Sequence, residues 1–419
     1  MATVTSSASL VNRDRLLQSI EKLAEIGRLP QGGVRRLAYS PEDIAARQTV
    51  QQWMQEAGMT VRIDTAGNII GRYEGNSPHL PVLATGSHLD TVPNGGRYDG
   101  ALGVLAGIEV VRVLQESNTR LQHPLEVIIF TDEEGSVLGS KAITGNIIND
   151  SAYYCRPDGE DIQSCLQRIG GDWYHLHEAR RSSQDIAAFL ELHVEQGPIL
   201  DSMGKDIGVV EGIVGQQRFM ITIEGSVNHA GTTPMYLRQD ALVAASQVVL
   251  AVHEVGNTPG QQVATVGQLQ VYPNAVNVVP GKVEMSLDIR DLSSLHIERL
   301  LQQLEVQLQE IQEKTQTQIS LTSRLQIAPA LANDIIQSAI AATCEQLQFS
   351  YTHLPSRASH DAQEMANITD MGMIFVPSES GVSHSESEYT SPEDCAKGTT
   401  VLLHSLLKLD QYYLHREYT

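Results

Sequence analysis

PVLATGSHLDTVPNGGRYDG, residues 81–100, is the stretch on which the reading of this chain turns. Its opening apolar run, 81–84, suits a buried strand, and the turn-rich loop that follows ends it. His88, Asp90 and Asp99 fall at or just beyond the point where that strand must stop. In an open α/β sheet, ligands bind outside the carboxyl ends of the strands. A histidine and two aspartates there, among small residues and glycines, have the pattern of a metal cradle. Taken singly, each is more simply a solvated loop residue, so the metal reading needs partners further along.

Three more strands supply them. The run 125–130 delivers Thr131-Asp132-Glu133-Glu134-Gly135, an acidic triplet that raises its own pKa values unless a positive charge sits beside it; a helix start favoured by the dipole is the alternative. The run 189–194 delivers His193, followed by Glu195-Gln196-Gly197-Pro198, and 373–376 delivers a Ser/Gly-rich loop holding His384. Three histidines and two carboxylates are the set that two borderline cations such as Zn²⁺ take. Two such metals sharing a carboxylate polarise a carbonyl and supply hydroxide at neutral pH. Glu133, beside a ligating Glu134, is then placed as a general base, and Asp90 as the partner that fixes the tautomer of His88.

Around these strands, Asn12 caps a helix with Leu16, Leu17, Ile20, Leu23 and Ala24 on one face, and Ser40-Pro41-Glu42-Asp43 opens a second that buries Ile44, Val50, Trp53 and Met54. Runs 61–63 and 68–73 read as strands joined by a Gly-containing turn, and 101–114 as a small-residue helix. The alternation predicts a mainly parallel, helix-covered sheet. Near 212–215 the texture changes: strand 219–223, helix 240–255, strands 263–271 and 283–289, the amphipathic helix 293–315 and strand 319–322. That β-α-β-β-α-β order describes a split βαβ unit of a size to fold alone. The α/β texture resumes after Pro329. The expected organisation is therefore a discontinuous α/β domain, 1–213 with 330–419, interrupted by an α+β domain at 214–329.

A length of 419 residues suits two domains, and 41% apolar residues is globular. Twenty-nine Lys+Arg against 50 Asp+Glu leave a formal charge of −21, which argues against nucleic-acid and anionic-membrane partners. No stretch has the apolar length of a membrane span. Cys155, Cys165, Cys344 and Cys395 show no CxxC pairing, which suits a reducing, cytoplasmic compartment. The Ser/Thr-rich start lacks the charged and apolar regions of a secretory signal.

HLDTVPNGGRYDGALGV, FTDEEG, ELHVEQGP, GSVNHAGTTPM, NAVNVVPG and SGVSH, in that order along most of the chain, resemble the dinuclear-metal amidohydrolase and peptidase superfamily. Within it they are similar to the branch of N-carbamoyl-L-amino-acid hydrolases, allantoate amidohydrolases and ureidoglycolate or β-ureidopropionate hydrolases. The resemblance implies a metal-bearing α/β domain interrupted by a ferredoxin-like lid that makes a homodimer. It also implies two divalent ions per subunit, Zn²⁺ or Mn²⁺, one on His88, Asp99 and His193 and the other on Asp99, Glu134 and His384, with Asp99 bridging. Glu133 matches the general base, Asp90 its orienting acid, and His229 an oxyanion donor reaching the partner subunit's metals. Asn277 and Arg290 match lid residues that bind the substrate's ureido oxygen and carboxylate, and Gln196 a pocket residue. A histidine at 193 is the amidohydrolase mark; the peptidase branch usually has a carboxylate there. One segment departs: Ser356-Arg357-Ala358-Ser359-His360-Asp361-Ala362 carries Arg357 and Ser359 where relatives have glycines, so Arg357 becomes a candidate second cation for the substrate.

The expected function is metal-dependent hydrolysis of the ureido C–N bond of a small ureido acid, allantoate or an N-carbamoyl-L-amino acid, with release of ammonia and carbon dioxide. The alternatives are a dipeptidase of the same superfamily and an inactive, metal-stabilised dimeric binding protein.

Overall fold

The computed structural model describes residues 11–154, 156 and 159–415; Cys155 and nearly all of the Ser/Thr-rich start lie outside the described residues. The chain forms two compact units, Met1–Gly212 with Leu331–Thr419, and Ile213–Ala330.

The first unit is built on a nine-stranded sheet. Its four central strands, in the order Leu125–Phe130, Val82–His88, Ile186–Val194 and Asp370–Val376, are parallel. In the first three every residue is buried, as expected of strands covered on both faces. Beyond them the sheet turns antiparallel. Ile69–Tyr73 and Thr60–Ile63 extend one side, and Ile207–Ile213 lies against Asp370–Val376 on the other. The sheet is therefore mixed, whereas the alternation of elements predicts a mainly parallel one. For the outermost pair the reason is connection length: a short turn between 63 and 69 can join only antiparallel neighbours, and parallel ones need a long crossover.

Ala101–Glu116 is apolar on nearly every side and is buried accordingly, packing against the strands beside Arg13–Ala24 and Pro392–Leu414. Glu109, inside this helix, is fully buried and takes both Nε and Nη2 of Arg15 at 2.8 and 2.7 Å, so its charge is paired bidentately. The two N-terminal caps form as their sequences require. Asn12 Oδ1 accepts from Arg15 N at 3.0 Å, and Ser40 Oγ from Asp43 N at 3.2 Å. Leu17, Ile44 and Trp53 are only half-buried, because each sits at the margin of its helix's core face.

The second unit carries a sheet in which Val263–Thr265 and Leu269–Tyr272 flank Lys282–Asp291, which pairs with Gly215–Glu224, which pairs with Gln318–Ile327, all antiparallel. The spatial order is that of a split βαβ unit. Ala241–Gly256 and Ser294–Thr315 bury Ala244, Val248, Val252, Leu300, Leu304 and Leu308 in a core with the strands. The single strand expected at 263–271 is broken in two. Ser286 Oγ accepts the amides of Gly267 and Gln268 at 3.2 and 3.0 Å, replacing ladder bonds there.

Candidate metal centre

The four parallel strands lie in sequence order 2-1-3-4, which reverses between Val82–His88 and Ile186–Val194. A crevice forms at such a switch point, outside the carboxyl ends of the strands. His88 ends one of these strands and His193 is the penultimate residue of the other, with ring centroids 6.0 Å apart. His88 Nδ1 lies 2.9 Å from the main-chain oxygen of Asp90, and His193 Nδ1 2.9 Å from that of Val194. Each Nδ1–H is thereby committed to a carbonyl, so Nε2 is the nitrogen each ring turns to the crevice, and it becomes a lone pair for a cation once its proton is given up.

Asp99 stands between the two. Its Oδ1 is 3.2 Å from His193 Nε2 and 3.7 Å from His88 Nε2, while its Oδ2 is 3.4 Å from His384 Nε2. Glu134 Oε2 is 3.7 Å from the same His384 nitrogen. Two groups of donors result, His88, Asp99 and His193, and Asp99, Glu134 and His384, each with its ligand atoms within 4.8 Å of one another. Asp99 belongs to both. His384 is 51% exposed against 2% for His88 and 1% for His193, so the crevice opens to solvent on the side of the second group. Gly100, at φ +64°, closes the other side: a Cβ there would stand 2.4 Å from His88 Cε1.

The electrostatics fit cations. Burial raises the Asp99 carboxyl, but hydrogen bonds from His193 and His384 outweigh it and hold it well below the usual carboxylate range. Burial lowers the His193 imidazole, yet Asp99 overcomes that and brings it up to about 9. Asp99 also takes His384 up to about 9. Burial, then the charges of Asp99 and Asp90, push Glu134 up to about 8, and burial followed by Asp361 and Glu134 pushes Glu133 well above its ordinary range. Carboxylates raised by one another and imidazoles protonated against Asp99 make a cluster whose protons a borderline divalent cation can replace, each nitrogen and oxygen then becoming a ligand.

Glu133 Oε2 is 3.5 Å from His88 Nε2, and Glu133 belongs to neither donor group. Asp90 acts differently from the sequence-based expectation. Its carboxylate is 3.8 Å from His88 Nδ1 and instead accepts the amides of Glu133 and Glu134, at 3.4 and 3.1 Å. The imidazole is oriented by the Asp90 carbonyl, and the carboxylate holds the acidic turn. Gln196 donates Nε2 to Asp99 Oδ2 at 2.8 Å. Arg357 lies half-buried in the loop after Tyr351–Ser356; burial raises the Glu195 carboxyl, and Arg357 is among the groups that oppose the rise.

Two acids at the centre were not singled out from the sequence. Glu191 takes Ser87 Oγ at 2.7 Å and the amide of Ala362 at 3.2 Å, and with His193 and His360 forms a third buried donor group. Strand alternation puts residues 191 and 193 on one face, a signal that was available. Glu388 accepts the amides of Tyr98 and Asp99 at 3.0 and 3.1 Å, and nothing local marks it. Asp132 and Gln196, each two residues past a parallel strand, and His384, in the loop after a third, have φ of 60°, 57° and 53°. Left-handed non-glycine residues of this kind concentrate where surrounding structure imposes them for function.

In the second unit, Asn228–His229 pairs with Val278–Val279 in a small two-stranded sheet, and Ala230 N donates to Asn277 O at 3.0 Å, so the exposed His229 and Asn277 are neighbours at its end. His229 Nδ1 accepts the amides of Gly231 and Thr232 at 3.0 and 3.2 Å, which puts the proton of the neutral ring on Nε2. Arg290 forms a forked pair with Asp288, Nε to Oδ1 at 2.9 Å and Nη2 to Oδ2 at 3.3 Å, while Asp291 takes Ser293 N and His296 Nδ1.

Residues 84–408 match the model of peptidase family M20/M25/M40. The chain belongs to that family. Among its relatives, the N-carbamoyl-L-amino acid amidohydrolase of Geobacillus stearothermophilus is 41% identical over 96% of this chain and 100% of its own length. The allantoate amidohydrolase of Bacillus subtilis (strain 168) is 36% identical over 95% and 98%. In structure, an amidase of the hydantoinase/carbamoylase family from Burkholderia multivorans superposes with a TM-score of 0.89 at 36% identity, over 95% of this chain and 98% of that one. The chain is accordingly an enzyme of the family's amidohydrolase kind, a hydrolase of C–N bonds acting on a small molecule.

Proposed function

We propose that this enzyme hydrolyses the ureido C–N bond of a small ureido acid, an N-carbamoyl-L-amino acid or allantoate, at a centre of two divalent cations. The observation that carries the reading is Asp99, shared by two donor groups, with Glu133 beside them and outside both. His88, Asp99 and His193 would hold one cation, and Asp99, Glu134 and His384 the other. Zn²⁺ or Mn²⁺ bound there supplies Lewis acidity to the carbamoyl oxygen and acidifies a water. Glu133, a carboxylate of raised basicity, takes the proton of the attacking water and returns it to the leaving nitrogen. The bond from carbonyl carbon to nitrogen breaks, leaving an amine-bearing acid and a carbamate that falls apart to ammonia and carbon dioxide. Asp90 keeps Glu133 and Glu134 aimed through their amides, and Gln196 borders the substrate. The test is a panel of N-carbamoyl-L-amino acids, allantoate, ureidoglycolate and dipeptides, assayed after reconstitution with Zn²⁺ or Mn²⁺. Turnover is expected on a ureido acid; turnover on dipeptides alone would overturn the reading. The dipeptidase alternative is not favoured, since relatives over nearly the whole chain are named amidohydrolases.

The 213–330 unit is, on this reading, the substrate lid and the dimerisation domain. Met235, Tyr236, Leu237 and Val276 are exposed there, as are Val243 and Leu250, seven residues apart on one face of Ala241–Gly256. Exposed apolar side chains in such number suit a partner of the same kind. The Nε2–H of His229 is a donor suited to an oxyanion, and Arg290 and Asn277 would hold the substrate's carboxylate and ureido oxygen, with Arg357 a further cation for it. If His229 serves the partner subunit's centre, mixing inactive His229→Ala with inactive Glu133→Gln restores one intact site per mixed dimer. Activity near half of wild type is expected in isolated heterodimers, and inactive heterodimers would exclude the shared arrangement.

A further inference from the structure

We infer that Glu388 is the positioning residue that holds the second cation position together, by clamping the loop of Asp99 to the loop of His384. The inference rests on the two-cation reading above.

Asp99 and His384 come from loops after different strands, Val82–His88 and Asp370–Val376, and nothing in their local sequences fixes their separation. Glu388, 4% exposed, bridges them. Its Oε1 accepts the amides of Tyr98 and Asp99 at 3.0 and 3.1 Å, across 289 residues of sequence in the case of Asp99. Its Oε2 accepts Ser383 Oγ at 3.1 Å, the hydroxyl of the residue just before His384. That same hydroxyl lies 3.4 Å from Asp99 Oδ2, the oxygen facing His384. The fit leaves no slack: a Cβ on Gly96 would stand 2.1 Å from Glu388 Oε1, so the 94–100 loop lies directly on the carboxylate. Glu388 contributes to neither donor group. It touches no reacting atom and acts through the spacing of Asp99 and His384.

Reach and hydrogen bonding, rather than charge, are what this clamp requires. Glutamine at 388 keeps a carbonyl oxygen for the two amides and offers an N–H to Ser383 Oγ, which can still donate to Asp99. Aspartate keeps the charge but is one methylene too short to span both loops. Stepwise binding of Zn²⁺ to the metal-stripped chain, followed by calorimetry, reads the effect without any assay of activity. Wild type is expected to take up two ions, and His384→Ala identifies the step belonging to the second position. Glu388→Asp should weaken that step by roughly 10- to 100-fold, the usual effect of a group that orients a ligand. Glu388→Gln should stay within a few-fold of wild type. Equal affinities in wild type and Glu388→Asp, or a weaker second step in Glu388→Gln than in Glu388→Asp, would overturn the clamp while leaving the two-cation centre standing. A wild-type chain binding fewer than two ions would overturn the centre and the clamp with it.

Discussion

Glu133→Gln is expected to lower kcat by roughly two to four orders of magnitude while both cations stay bound and KM stays close to wild type. The expectation follows from where Glu133 stands. Its Oε2 is 3.5 Å from His88 Nε2, inside the centre, yet it lies in neither donor group. Burial and its acidic neighbours raise its affinity for a proton, which suits a group that must take one from water and give it to nitrogen. Glutamine is the same size and keeps the amide contact to Asp90, so the turn should hold its shape. Steady-state kinetics with cation analysis of the same sample is the measurement. Near-normal turnover would remove Glu133 from the role, and loss of a cation would make it a ligand instead.

Asp99→Ala should have the other large effect, the loss of both cations and of activity with them. A carboxylate shared by two donor groups supplies one oxygen to each, Oδ1 towards His88 and His193, Oδ2 towards His384. Its removal also takes one anionic oxygen from each donor group, leaving His88 and His193 with no carboxylate in the first and Glu134 as the lone carboxylate of the second. Both binding steps should therefore weaken by more than the roughly 10- to 100-fold that an orienting partner is worth. His193→Ala, by contrast, should weaken mainly one. Elemental analysis and calorimetry distinguish the two patterns. Two tightly held ions in Asp99→Ala would show that the carboxylate does not bridge.

Local patterns carried much of this chain. Apolar runs ending in His, Asp or Glu marked the four strands that prove to be the parallel centre of the sheet, because a strand's alternation and its stop signals are both short-range. The caps at Asn12 and Ser40, the amphipathic helix Ser294–Thr315 and the presence of a helix at Ala241–Gly256 were legible for the same reason. Where pairing decided the outcome, local reading fell short. The antiparallel flanks of the sheet, the break at 267–268 and the strand Tyr351–Ser356 depend on which backbone lies alongside.

The sequence by itself determined the residue types that could meet at strand ends, and the two textures that alternate along the chain. The tertiary structure decided what those residues do to one another. Asp99 sits between two donor groups because strands in the order 2-1-3-4 bring residues 88, 99, 134, 193 and 384 to one crevice. The Nε2 atoms of His88 and His193 face that crevice because main-chain carbonyls occupy the opposite nitrogens. Asp90 serves the acidic turn rather than the imidazole, and Glu388 joins loops 289 residues apart, for the same reason. Hydrogen-bond partners are chosen by distance and direction in space, and a chain's order records neither.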